Sequence, residues 1–188
     1  MNSGIRTSWL LLGALGFSGC GDDPIPLEVQ FNWVTFCEPD GCATTDRELA
    51  GQDGDAIPNL SSNYEIGLEC EIVDNRGVLT ILKVQNKNTE VQPEQGIYIT
   101  NGSIAVGSSM ACGADAFHLY DENEFVGSCG GNTAGNCEIV VTDYVKKRGR
   151  LVLQMNCSNL RPLAGVTPRS VRQALLTVEG CDVTTDTR

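Results

Sequence analysis

Tyr64-Glu65-Ile66-Gly67-Leu68-Glu69-Cys70-Glu71-Ile72-Val73 is the stretch on which the fold turns. Tyr64, Ile66, Leu68, Cys70 and Ile72 alternate with Glu65, Gly67, Glu69 and Glu71, the period of two in which successive side chains of a strand face opposite sides. A helix needs apolar residues at three-residue as well as four-residue spacing, and here the three-residue steps pair Ile66 with Glu69 and Leu68 with Glu71. The segment therefore predicts a half-buried strand with Cys70 on its inner face. Beyond the turn residues Asp74-Asn75-Arg76-Gly77, the run Val78 to Val84 is apolar on both phases, which predicts a central strand and makes the pair a hairpin.

The same alternation extends outward in both directions. Leu27, Val29, Phe31 and Trp33 alternate with Glu28, Gln30 and Asn32, a strand that runs into Cys37-Glu38-Pro39-Asp40-Gly41-Cys42, where Pro and Gly suit a type I turn. Residues 43–62 are polar with no period and read as a long surface loop, with room for one helical turn over Asp46 to Leu49. Asn101-Gly102 between Ile97–Ile99 and Ile104–Val106 predicts a second hairpin, because both central residues of a type I′ turn need positive φ. Phe117 to Tyr120 is a short strand leading to the acidic turn Asp121-Glu122-Asn123-Glu124. A third hairpin joins Glu138–Lys146 to Leu151, Leu153, Met155 and Cys157 across Lys147-Arg148-Gly149-Arg150. Toward the C-terminus, a strand from about Gln173 to Val183 competes with a helix over Pro168 to Thr177, which Thr167-Pro168 would start. About eight short strands with no sustained helical period predict an all-β fold over residues 27–188: one antiparallel β-sandwich or barrel.

Upstream lies a different kind of segment. Arg6 precedes an apolar run from Trp9 to Phe17 that is too short to span a bilayer, and Ser18 and Gly19 are small, the layout of an export signal over residues 1–19. Phe17-Ser18-Gly19-Cys20 resembles the lipobox of bacterial lipoproteins. The resemblance covers residues 1–20 and does not extend into the mature domain. It implies that Cys20 receives a diacylglycerol and an acyl chain such as palmitate and becomes the N-terminus, with residues 20–26 as a lipidated tether. Lipoprotein sorting further implies, from Gly21 where Asp would signal retention, an outer-membrane location in a bacterial cell envelope.

Cysteine parity agrees with that reading. Of nine cysteines, setting Cys20 aside leaves Cys37, Cys42, Cys70, Cys112, Cys129, Cys137, Cys157 and Cys181, an even number that reads as disulfides in an exported chain. Short spacing favours Cys37–Cys42 and Cys129–Cys137, leaving Cys157–Cys181 and Cys70–Cys112 by elimination.

The 13 basic and 24 acidic side chains give a net charge of −11, and removal of Arg6 with the signal makes it −12. Such a field repels nucleic acid and anionic lipid headgroups and attracts cations. The C-x4-C and C-x7-C spacings do not form zinc knuckles, and a lone histidine, His118, rules out a three-histidine zinc centre. No Gly-x-Ser-x-Gly elbow appears. Asp46, Asp53 and Asp55 offer oxygens to calcium without the EF-hand order of acids. Glu69, Glu71, Asp121, Glu122 and Glu124 offer candidate carboxylate pairs for glycoside hydrolysis. With Trp33 on an apolar phase, sugar platforms reduce to Tyr98, Tyr120 and Tyr144. The expectation is a lipid-anchored, non-enzymatic binding or structural module without a cofactor, meeting a protein or glycan partner and no nucleic acid. The alternatives are a calcium-dependent adhesion module and a carboxylate-based hydrolase.

Overall fold

The computed structural model describes residues 24–37, 44–57, 64–88, 95–110, 117–121, 123–129, 136–162 and 168–186. Its strands are β1 (Glu28–Cys37), β2 (Thr45–Gln52), β3 (Tyr64–Val73), β4 (Val78–Asn88), β5 (Gln95–Ser103), β6 (Phe117–Asp121), β7 (Asn123–Cys129), β8 (Asn136–Val145), β9 (Arg150–Pro162), β10 (Arg169–Glu179) and β11 (Asp182–Thr184). Two five-stranded sheets, β11-β3-β4-β5-β6 and β8-β9-β10-β1-β2, pack face to face, and β7 joins them by pairing with β6, β8 and the end of β9. The fold is an all-β sandwich and not a closed barrel.

Alternation along β3 is realised as the sequence requires: Ile66, Cys70 and Ile72 are buried while Glu69 and Glu71 are exposed. Facing them in the core are Phe31 and Trp33 of β1, Leu151 and Leu153 of β9 and Leu176 of β10. This continuous apolar interior is the main source of stability, at roughly 25 cal/mol per Å² removed from water.

The two sheets meet across each other. Lys146 Nζ reaches Asp74 Oδ2 at 2.8 Å just beyond the end of β3. Farther back along the strand, Cys70 is bonded to Cys181, the Leu68 N–H donates to Asp53 Oδ1 at 2.8 Å, and Ala56 bridges Glu65. Successive positions of β3 are thus met by the β8–β9 turn, the β10–β11 turn and the end of β2, so β3 crosses the strand ends of the opposite sheet. The same contacts, with β11 parallel to residues 71–73, cover an edge that would otherwise invite pairing with another chain.

Several expectations are corrected. Residues 45–52, read as loop or helical turn, are the edge strand β2, in which, over residues 46–52, Leu49 alone is fully buried; an edge strand with one anchoring residue carries no visible period. Asn101-Gly102 makes no hairpin. Only Asn101 has positive φ, at 53°, and β5 runs through to Ser103 with Gly102 opposite Leu79. Gly102 is there for packing, since a Cβ would lie 2.4 Å from Met110 Sδ. The chain instead crosses to the other sheet, where Gly107 N–H donates to the Val141 carbonyl at 2.8 Å and Ser109 bridges Val140. Over 168–177 the strand prevails over the helix: a bulge at Gln173, φ 55°, re-aims the chain so that Ala174 and Leu176 point inward while Leu175 is 45% exposed.

The described disulfides are Cys70–Cys181 and Cys137–Cys157, with Cα atoms 4.8 and 4.1 Å apart. They replace the expected 70–112, 157–181 and 129–137 pairings. Cys137 stands opposite Cys157 in the β8–β9 register, and β11 lying parallel to β3 brings Cys181 over Cys70. Cys20, Cys42, Cys112 and the side chains of Cys37 and Cys129 lie outside the described residues, and the Cys37–Cys42 pairing with them. Among the described residues, no helix is long and apolar enough to cross a membrane.

Candidate functional site

The outer face of the β3–β4–β5–β6 sheet carries two rows of side chains set by register. One row is Glu69–Lys83–Tyr98–His118; the next is Gly67–Gln85–Gly96. Gln85 thus has a glycine on either side. At Gly96, φ is 155° and an added Cβ would come 2.3 Å from the Val84 carbonyl oxygen, so no other residue fits this close backbone approach. At Gly67, a Cβ would meet Lys87 Cδ at 2.9 Å and Gln85 Nε2 at 3.1 Å. Beside this row lies a shallow depression of about 290 Å³ lined by Lys83, Gln85 and Tyr98, and by Val84 and Ile97, whose side chains are buried on the opposite face.

Tyr98 and His118 flank each other across the β5–β6 pair, with ring centroids 6.1 Å apart and planes tilted by 48°. Both are half-buried. Lys87 pairs with Glu65 at 3.3 Å at one side of the depression. The arrangement offers an aromatic surface beside an amide, an ammonium and a carboxylate, chemistry suited to a ligand with both apolar C–H surface and hydroxyl groups.

The other candidate residues are placed differently. Asp53 caps Leu68, and Asp55 Oδ2 accepts from the Gln52 N–H at 2.7 Å, so both carboxylates hold the chain leaving β2. Asp46 stands opposite Val34 near the start of β2, seven residues and roughly 23 Å of strand from Asp53. The proposed calcium ligands Asp46, Asp53 and Asp55 are not brought together, and among the described residues no group of three or more potential metal ligands exists. Glu69 and Glu71 are exposed on the outer face of β3, while Glu122 and the side chains of Tyr120, Asp121 and Glu124 lie outside the described residues.

Tyr144 is no sugar platform. Its hydroxyl donates to Asp74 Oδ1 at 2.9 Å, and burial, then the Asp74 carboxylate, push the phenol up to about 12. Lys146 first and Tyr144 second hold the Asp74 carboxyl below the usual carboxylate range.

Tyr98 was legible as a candidate; Lys83 and Gln85 were not. The available signal was a glycine on the polar phase of a strand, at Gly67, which marks a close approach or a missing side chain on an exposed face. In comparisons with protein-family models, curated proteins and solved structures, nothing matches this chain.

Proposed function

We propose that the protein is a lipid-anchored module of a bacterial envelope, tethered through Cys20 to the outer membrane, that binds a glycan on the outer face of β3–β6 without turning it over. The observation that carries the binding role is the Tyr98 ring standing beside Lys83 and the glycine-flanked Gln85. The ring would take the C–H face of a sugar, and the amide and ammonium its hydroxyls. Export is supported by the two disulfides, which persist in oxidising compartments, and anchoring by the position of Cys20 directly after Phe17-Ser18-Gly19.

The test is co-sedimentation of the purified protein with peptidoglycan sacculi. Wild type is expected to pellet, and Tyr98→Ala and Gln85→Ala to weaken binding about tenfold each, the loss of a contact worth near 1.4 kcal/mol, with little change in melting temperature. Equal pelleting of wild type and both variants, or none by any of them, rejects this face as a peptidoglycan site. Intact mass of membrane-purified protein tests the anchor separately: lipid on Cys20, with no thiol alkylated before reduction and eight after, is the expected result.

A further inference from the structure

Residues 24–26 leave the domain beside two turns. A Cβ on Gly180 would lie 2.3 Å from the Pro26 carbonyl oxygen, and the Gly180 N–H donates to the Arg148 carbonyl at 3.0 Å. The β8–β9 turn, the β10–β11 turn and the N-terminal lead are therefore one end of the molecule. They enclose a cleft of about 720 Å³ lined by Pro24, Ile25, Lys146, Lys147, Arg148 and Val183, among others.

At this end three ion pairs share a polarity. The Lys146 side chain is 57% exposed and its partner Asp74 22%; Arg148 is 59% and Glu179 14%; Arg76 is 55% and Asp186 21%. In Lys87–Glu65 on the outer sheet face the carboxylate is slightly the more exposed partner, and the same holds for Arg150–Asp143 at the base of the β8–β9 turn. The charges at the tether end sum close to zero, but, Asp143 and the exposed Asp182 apart, the cations stand outermost and the carboxylates lie behind them. A group approaching within a Debye length, about 8 Å, meets the cations first.

Chain length fixes what that group is. Cys20 is four residues from Pro24, so its lipid is within about 14 Å of the cleft even on a fully extended chain. We propose that this end rests on the bilayer, with Lys146, Lys147 and Arg148 against the phosphates of anionic lipids. The net charge of the whole chain argues against anionic headgroups as partners; the local order of charges reverses that at this one end, with Asp22 and Asp23 of the tether opposing it. The proposal depends on the lipid-anchor reading.

The lipidated full-length protein is reconstituted in phosphatidylcholine vesicles with or without phosphatidylglycerol. Its lysines are then acylated by a water-soluble ester and read by mass. Lys146 and Lys147 are expected to react about fivefold more slowly when phosphatidylglycerol is present, an effect lost at high salt, while Lys83 and Lys87 on the outer sheet face report no change. An Arg148→Glu variant should reduce the protection. Equal labelling in both vesicles, or protection of Lys83 and Lys87 in place of Lys146 and Lys147, overturns the contact. Absence of lipid on Cys20 in the intact mass of the same sample overturns the anchor and the contact with it, so the two failures are distinct.

Discussion

The Tyr144 hydroxyl bonded to Asp74 Oδ1 at 2.9 Å ties β8 of one sheet to the turn that follows β3 in the other, with Lys146 on the second carboxylate oxygen. Asp74, its carboxyl lowered chiefly by Lys146, contributes stability that is fully present above the unfolded carboxylate value and lost as pH falls through the lower folded value. Tyr144, raised from 10.0 to about 12, contributes stability that is present below its unfolded value and lost as pH climbs between those limits. Urea midpoints measured across pH are therefore expected to fall on both sides. Tyr144→Phe should flatten the part of the alkaline limb above pH 10, and Asp74→Asn should flatten part of the acid limb. An alkaline limb identical in wild type and Tyr144→Phe would show that the hydroxyl contact is not made in solution.

The two disulfides close loops of different size. Cys70–Cys181 spans 111 residues and Cys137–Cys157 spans 20. If restriction of the unfolded chain dominates, the first contributes about 4.7 kcal/mol and the second about 3 kcal/mol. Paired replacement by alanine should accordingly lower the urea midpoint more for 70/181 than for 137/157. The reverse order would mean that local packing around Cys137 and Cys157 outweighs chain entropy.

How much of this was legible follows from which forces are local. Alternation along residues 64–73 identified β3, its inner face and its hairpin because burial acts on each side chain separately. What escaped was non-local. Nothing near Cys181 in sequence announces Cys70, since the pairing depends on β11 lying parallel to β3. Asn101-Gly102 carries a strong local turn signal, and packing of Met110 over Gly102 overrides it. The candidate face was half visible: Tyr98 stood out, but its alignment with Lys83 and His118 is a property of register, which sequence alone does not fix here.

Gly96 and Gly54 separate backbone conformation from contact. Both have positive φ, 155° and 83°, but a Cβ at Gly96 would strike the Val84 carbonyl oxygen at 2.3 Å, whereas nothing lies within 4 Å of one at Gly54. Gly54→Ala should cost about 1–2 kcal/mol from strain alone. Gly96→Ala adds a clash with main chain that cannot rotate away, so it should cost about 3 kcal/mol or more. Denaturant midpoints of the two variants decide this, and a Gly96→Ala protein as stable as Gly54→Ala would mean that β4 and β5 can separate there at little cost.

The sequence has two tryptophans, Trp9 and Trp33, so in protein lacking residues 1–19 the fluorescence of Trp33 reports the core without interference. Its ring is 1% exposed and stacked on Phe31 with centroids 4.2 Å apart, while its Nε1 is buried with no hydrogen-bond partner among the described residues. Replacing Trp33 by alanine leaves a cavity and should cost about 3–5 kcal/mol. Phenylalanine keeps much of the stacking and removes an unpaired donor whose desolvation costs about 1–3 kcal/mol. These two effects oppose, so Trp33→Phe should cost under about 1.5 kcal/mol, a small loss for so large a buried side chain. Urea unfolding at matched m-values compares the two variants, and wild-type emission should be blue-shifted until the transition. A Trp33→Phe penalty as large as that of alanine would mean that the indole N–H is paired in solution and that its hydrogen bond stabilises the core.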